Sequence, residues 1–511
     1  MAPQYYKNEL QLIELGNELL HQVRAELREA VKCATGILKV EDPEPHPDDS
    51  NAFGTIYNGS LGIALTFLRL EEQVSYIANE GEIPSLASEL VQLASSRINP
   101  NVSGVSQLRT RSLSPLASGT LGASLVRILA AITRPTPRAI DSSDLNILQN
   151  AAELSLKQGT MLGGDEALYG RVGLLWALLY IRQHCLDEEN MDVLIPLFTM
   201  IPRIVNVILE TGRLGADEYQ QLYGQQSVLP LMWPWHGKYY IGAIHGTAGI
   251  LAILLSCKLE ELDDGATHHL PIIAQTINSL CRLTIENGGH LPSSLPIHSS
   301  SRHSPYVQIC HGSPGLLILL AQARSIPDLT RSFWEPDWDK AIRLGSEQVW
   351  EQGLLFKGGG LCHGIAGNAW PFLMLHDSFE YGQENIAQAN LSFRDRTGII
   401  PSEEEDLTPD YFLSRALSLL LYAQKTPPFH RRRSPGELQF RMPDTPYSLF
   451  EGLAGTCAAW AEACVVIEAR LRKNKLDEEG SGAVSEKRDE LLSKHLNHEL
   501  GFPGITLGGI R

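Results

Sequence analysis

The chain has 511 residues, 43% apolar and 20% charged, with a formal net charge of -17. That balance is ordinary for a globular protein with a large core. The acidic excess argues against nucleic acid and against anionic membrane surfaces as partners.

The first residues, MAPQYYKNELQLIELG, contain no apolar signal core, and Ala2 stands where myristoylation requires glycine. Uninterrupted apolar runs such as LLWALLYI are too short to span a bilayer, so no transmembrane segment is expected. The eight cysteines are scattered, without scaffold spacing. They read as reduced thiols in the cytoplasm, with peripheral association at membranes left open.

Along the chain one unit recurs seven times: a short turn with two glycines three apart, then an apolar helical run. The glycine pairs are Gly59/Gly62, Gly119/Gly122, Gly170/Gly173, Gly246/Gly249, Gly312/Gly315, Gly364/Gly367 and Gly452/Gly455. The spacing leaves room for a second helix per unit, and ELVQLASSRI, NILQNAAELSLKQ and DKAIRLGSEQVWEQ have helical periodicity. Glycine permits a tight turn and lets helix starts crowd together. Helix starts converging on one axis would build a toroid with its chemistry at one end. For most of the seven, close packing alone is a sufficient reason for the glycines.

Three stretches depart from the repeat. Residues 100–118 are rich in Ser and Arg. Residues 378–442 mix charge and proline, as in SEEEDLTPD and PPFHRRRSPGE, and read as a surface insertion. Residues 471–490 read as a solvated linker or frayed helix. The tail HELGFPGITLGGIR can fold back or stay mobile. The expected division is a toroid over 1–465, carrying the insertion at about 378–442, and a charged, Gly-rich extension over 466–511.

The chemistry concentrates beside the glycine turns. Cys310-His311 and Cys362-His363 each open a Cys-His-Gly-x-x-Gly arrangement, roughly fifty residues apart. Cysteine thiolate and imidazole are preferred zinc ligands, and three ligands with an open fourth position mark a catalytic zinc. Cys310 and Cys362 are the sulfur candidates, and His363 or His311 is the nitrogen. His245 takes the same place in the fourth unit without a cysteine, which suits a general acid/base. Glu166 lies four residues before Gly170 and can shuttle a proton, orient His245 or serve only as a first-turn acid facing the helix dipole. Arg171 can pair with a carboxylate or bind an anionic substrate. Lys357, in KGGGLCHG, offers a cation in an acidic protein. Its Gly358-Gly359-Gly360 run lacks the Lys-Ser/Thr ending of a phosphate cradle. Glu451 holds the rim position of the seventh unit, for a substrate amine or for another loop.

With EALYGRVG, YYIGAIHGTAGI, ICHGSPG, KGGGLCHGIAGNA and DTPYSLFEGLAGT in this order, the chain resembles the eukaryotic lanthionine synthetase C-like proteins, relatives of the bacterial LanC cyclases. The resemblance spans roughly residues 50–460. It implies an all-α fold, an α/α toroid of seven inner and seven outer helices. It implies one zinc ion on Cys310, Cys362 and His363, with His245 as acid/base, Glu166 as its carboxylate and Lys357 against glutathione. Phe356 stands where the family commonly has a cation.

The expected activity is zinc-dependent addition of a thiol, with glutathione as co-substrate, to dehydroalanine or dehydrobutyrine in proteins or peptides. Kinases are among the candidate protein partners. The alternative is a non-catalytic, zinc-containing glutathione binder or signalling scaffold. A glycoside hydrolase, which uses paired carboxylates on a similar toroid, is disfavoured by the Cys–His motifs.

Overall fold

The computed structural model describes residues 4–42, 54–98, 112–133, 137–157, 164–263, 268–297, 306–401, 407–430, 438–480 and 489–509. Among these residues helices dominate. They are α1 (Asn17–Glu41), α2 (Ser60–Glu72), α3 (Val74–Ile77), α4 (Ile83–Ser96), α5 (Gly119–Ile132), α6 (Ser142–Ser155), α7 (Arg171–His184), α8 (Glu188–Phe198), α9 (Ile201–Tyr223) and α10 (Thr247–Leu254). There follow α11 (Leu259–Leu262), α12 (Leu270–Glu286), α13 (Ser313–Arg324), α14 (Pro327–Phe333), α15 (Pro336–Gln352), α16 (Ile365–Glu380), α17 (Gln383–Thr397), α18 (Pro409–Ala423), α19 (Leu453–Glu478) and α20 (Glu490–Asn497). Short strands accompany them. β1 (Tyr5–Tyr6) pairs with β5 (Leu354–Leu355), and β2 (Pro234–Trp235), β3 (Lys238–Tyr240) and β4 (Ser294–Leu295) form a small antiparallel sheet.

The seven helices that follow the glycine turns pack in a closed ring, in the order α2, α5, α7, α10, α13, α16, α19 and back to α2. A second layer surrounds them. Helix α1 lies on α19, α4 on α2, α6 on α5, α9 on α7, α15 on α13 and α18 on α16, with α12 against α13 and α15. This is an all-α double ring. Inner helices are covered on all sides, and they are apolar around their circumference rather than along one stripe. All eight residues of α10 are buried.

The glycine turns have a steric explanation. A Cβ at Gly249 would stand 1.7 Å from the Ala243 carbonyl oxygen, and one at Gly367 1.7 Å from that of Leu361. In each case the first turn of the helix lies directly on the carbonyl six residues earlier, which leaves no room for a side chain. Outer helices start differently. Asp141 caps α6 and Thr408 caps α18, each accepting a backbone N–H from the first turn.

Two boundaries differ from the sequence reading. The stretch 378–442 is not a surface insertion throughout. It begins inside α16, and its helix α18 completes the outer ring with Phe412, Leu413, Leu417 and Leu420 buried. The charged runs at 402–406 and 431–437 lie outside the described residues, as do 99–111 and 481–488. The division at 465/466 falls within α19. Helices α8 and α9 together, Glu188–Tyr223, also contain an 18-residue window of mean hydropathy 1.7, long and apolar enough to cross a membrane. In the fold α9 turns Ile201, Ile204, Val205, Ile208 and Leu209 inward and packs on α7 as an amphipathic helix of the outer layer, with 39% of that window buried.

The tail folds back into the ring. Arg69 of α2 donates to the carbonyls of Leu500 (3.0 Å) and Gly501 (2.6 Å), and Glu462 of α19 accepts the amides of the same two residues at 3.1 and 2.8 Å. Trp176 of α7 donates to the Thr506 carbonyl at 3.2 Å. Phe502 and Ile505 are fully buried.

Glu499 of the tail and Asp377 of α16 are both buried and interact electrostatically. Burial, with Glu462 and Glu380 nearby, pushes the Asp377 carboxyl well above the usual range; burial, with Asp377 and Glu462, does the same to Glu499. One proton shared between the two carboxyls would remove their mutual repulsion. The unfolded chain releases these protons near pH 4 to 4.5, whereas the folded chain keeps at least one. Stability contributed by the pair is therefore full in acid and falls as pH rises through the raised folded values. Thermal denaturation between pH 5 and 9 is expected to show this decline. Glu499→Gln, which keeps a donor toward Asp377 without titrating, should flatten it; parallel curves would count against a shared proton.

Candidate metal centre and substrate cleft

The loops ahead of the inner helices gather at one rim. Cys310 precedes α13, while Cys362 and His363 precede α16, and the ligand atoms of the three side chains lie within 4.8 Å of one another. Among the described residues this is the one group of three Cys, His, Asp or Glu side chains so placed. Nε2 of His363 is 3.6 Å from Sγ of Cys310 and 3.5 Å from Sγ of Cys362. Tetrahedral zinc, with Zn–S of about 2.3 Å and Zn–N of about 2.0–2.1 Å, sets sulfur and nitrogen about 3.5–3.6 Å apart. The two S···N edges fit that donor set. Cys310 and Cys362 are joined as a disulfide in the structure, and their reduction supplies the two thiolates. Burial, then the charges of Lys357, His311 and His245, pushes the His363 imidazole down to about 3. It is neutral at physiological pH, the form that binds a metal.

His311 is outside this trio. Its ring lies 5.5 Å from that of His245 and 5.4 Å from that of Tyr240. His245, ahead of α10, brings Nδ1 to 2.5 Å from Oε2 of Glu166. The other oxygen of Glu166 accepts the Tyr169 N–H at 2.6 Å. A carboxylate at Nδ1 fixes the tautomer with the proton on that nitrogen and directs Nε2 outward. Glu166 is buried, and its desolvation raises its pKa although His245 and the Tyr169 amide oppose the rise. Trp235, Tyr169, His245 and His311 form a row of stacked rings along the rim.

The remaining candidates separate into two groups. Lys357 and Glu451 line a cleft together with His363, Gly360, Arg441 and Asp444. Lys357 and Arg441 are both exposed. Thr445 donates to the Glu451 carboxylate, and the Glu451 N–H donates to Ser448 Oγ at 3.3 Å. Arg171, expected to bind substrate, is instead a buried clamp. Its guanidinium pairs with Asp165 at 2.9 Å and donates to the carbonyls of Ser155 and Lys157. At 3% exposure and with these partners it does not line the cleft.

Sequence reasoning missed Arg441. It sits three residues before Asp444, beyond the charged run, where a lone arginine carries no distinguishing signal. Its amide donates to the Phe356 carbonyl at 2.7 Å, which places it beside Lys357. Phe356 itself packs against Tyr6 of β1, 4.3 Å between centroids. Thus the cleft has its second cation from another loop.

The family model described as lanthionine synthetase C-like protein matches residues 52–400. A zebrafish (Danio rerio) protein named glutathione S-transferase LANCL1 is 32% identical over 302 residues, covering 59% of this chain and 60% of the relative. An Arabidopsis thaliana protein named LanC-like protein GCL1 is 30% identical over 371 residues, covering 71% of this chain and 76% of the relative. The family match covers the first six glycine turns, including both Cys-His pairs, and the seven-membered inner ring agrees with it. The chain belongs to the lanthionine synthetase C-like protein family.

Proposed function

We propose that this protein adds the thiol of glutathione to dehydroalanine or dehydrobutyrine residues of proteins or peptides, with a zinc ion held by Cys310, Cys362 and His363. The observation that carries the reading is one rim that joins a Cys–Cys–His group, a cleft with two cations and two carboxylates, and a His–Glu pair. Glutathione has two carboxylates, one ammonium and one thiol. Lys357 and Arg441 suit the carboxylates, Glu451 and Asp444 suit the ammonium, and His363 lies at the inner wall, where the thiol would arrive. A zebrafish relative named as a glutathione S-transferase supports the same class.

Zinc bound there would lower the pKa of the substrate thiol and make thiolate available at neutral pH. The reaction is redox-neutral. A C–S bond forms at Cβ, the carbon–carbon double bond becomes single, and Cα gains a proton. His245 delivers that proton from Nε2, while Glu166 holds the ring and stabilises its charged form. The aromatic row beside His245 provides a surface for the peptide around the dehydro residue. This role requires Cys310 and Cys362 to be reduced, and so a reducing compartment such as the cytoplasm.

The test is mass spectrometry of a dehydrobutyrine peptide incubated with glutathione and reduced, zinc-loaded protein. A glutathione adduct above the protein-free rate is expected; none would point to a binding role instead. Lys357→Ala and Arg441→Ala should each raise KM for glutathione by roughly tenfold, the loss of one charge-assisted hydrogen bond, with kcat little changed. Unchanged KM in both would remove the cleft from the glutathione site.

A further inference from the structure

The tip of the C-terminal segment reaches the underside of the loop that carries Cys362. The Phe502 ring lies 6.4 Å from that of Phe450 and 5.3 Å from that of Trp370. Gly504 has φ +78°, and a Cβ there would stand 2.7 Å from Cδ1 of Leu116 and 3.4 Å from Cζ of Phe450. Phe450 and Leu116 belong to the rim. The Cys362 amide donates to the Phe450 carbonyl at 2.8 Å, the Phe450 amide to the Tyr57 carbonyl at 3.2 Å, and the Tyr57 amide to the Leu116 carbonyl at 2.9 Å. This chain of backbone bonds crosses the loops of the sixth, seventh, first and second units. Both Phe450 and Leu116 rest on the tail. The Tyr57 ring stacks on Phe450 at 4.9 Å and covers it from another side.

We infer that Phe502 and Gly504 are positioning residues for Cys362, acting through Phe450. The inference rests on the proposed role of Cys362 as a metal ligand. Phe450 is fully buried, so its ring cannot shift while Phe502 occupies the space beside it. Its carbonyl is the acceptor for Cys362, so the placement of that ring is transmitted to the ligand through one hydrogen bond. Groups hydrogen-bonded directly to a metal ligand commonly change metal affinity by about 10- to 100-fold, and Phe502, one contact further out, belongs at the lower end of that range. The tail thus sets the ligand geometry from within the ring, while its lower contacts, such as Gln183 donating to the Leu507 carbonyl at 3.1 Å, only hold it in place.

The experiment compares the full-length Phe502→Ala and Gly504→Ala variants with Gln183→Ala. Zinc affinity is read by chelator competition on reduced protein, and thiolate coordination by the charge-transfer bands of the cobalt(II) form. Phe502→Ala is expected to weaken zinc binding roughly tenfold and to alter the cobalt spectrum. Gly504→Ala should do so to a smaller extent, and it serves if Phe502→Ala does not fold. Gln183→Ala should lower the melting temperature and leave both metal readouts unchanged. Wild-type affinity and spectrum in the two tail-tip variants would overturn the inference, as would an equal loss in Gln183→Ala. None of these readouts needs turnover, so failure of thiol addition does not confound them. If wild-type protein binds no metal, the proposed metal role fails separately. The inference is then read by peptide-resolved iodoacetamide alkylation of reduced Cys362, which should be faster in the tail-tip variants. Equal rates overturn it.

Discussion

Cys362→Ser is expected to abolish glutathione addition and to reduce bound zinc from about one equivalent to a small fraction. The thiolate supplies charge as well as a bond, and a serine hydroxyl is neither ionised nor soft at neutral pH. The remaining Cys310 and His363 form a two-donor site, which does not hold zinc against a modest chelator. Metal analysis after gel filtration measures the first effect, and the peptide adduct assay the second. The serine is small enough to occupy the same buried space, so the helical content by circular dichroism should match wild type. Retention of a full zinc equivalent with full activity would remove Cys362 from the centre.

His245→Ala is expected to leave zinc content unchanged and to lower kcat for thiol addition by roughly 10²–10⁴, the usual range for a positioned acid/base. Glu166→Gln should lower it by a smaller factor, because the amide keeps a hydrogen bond to the ring but cannot stabilise its charged form. The two residues also differ in pH dependence. Burial raises the Glu166 carboxyl above its ordinary value. The rate contribution of its carboxylate is therefore present above that raised value and is lost as pH falls through it. This acid limb should begin above the ordinary carboxylate pKa of about 4.3 and be absent from Glu166→Gln. A wild-type acid limb in the Gln variant would assign it to another group.

Much of the site was legible because its residues stand in a repeated frame. The second glycine is required by the carbonyl six residues earlier at Gly62, Gly173, Gly249, Gly367 and Gly455, and at Gly315 chiefly by Ala243 of the neighbouring unit. The turns therefore stay recognisable, and Cys310, Cys362, His363 and His245 stand next to them. The structure brings the Cys–Cys–His group together and sets Glu166 against His245, although 79 residues separate that pair. What was not legible depends on contacts between distant segments. Arg171 has the same charge whether it faces a substrate or Asp165, and only burial decides. Arg441 gains its place by pairing with Phe356, which no local pattern encodes. Helix α18 has the apolar spacing YFLSRALSLLLYA, but charged, Pro-containing flanks obscured it. The Gly-rich tail could fold back or stay mobile by its sequence; Arg69, 432 residues before Gly501, and Glu462 of α19 hold it in the ring by binding its backbone.

The closed inner ring has a consequence for how such a protein can vary. An open solenoid grows or shrinks by whole repeats, with specialised caps protecting its ends. Here α19 packs on α2, so no helix of the ring is an end and none needs a cap. Adding or deleting a unit would change the curvature of every other contact. Length variation is therefore confined to the segments between units, and the number of helices is held constant by geometry.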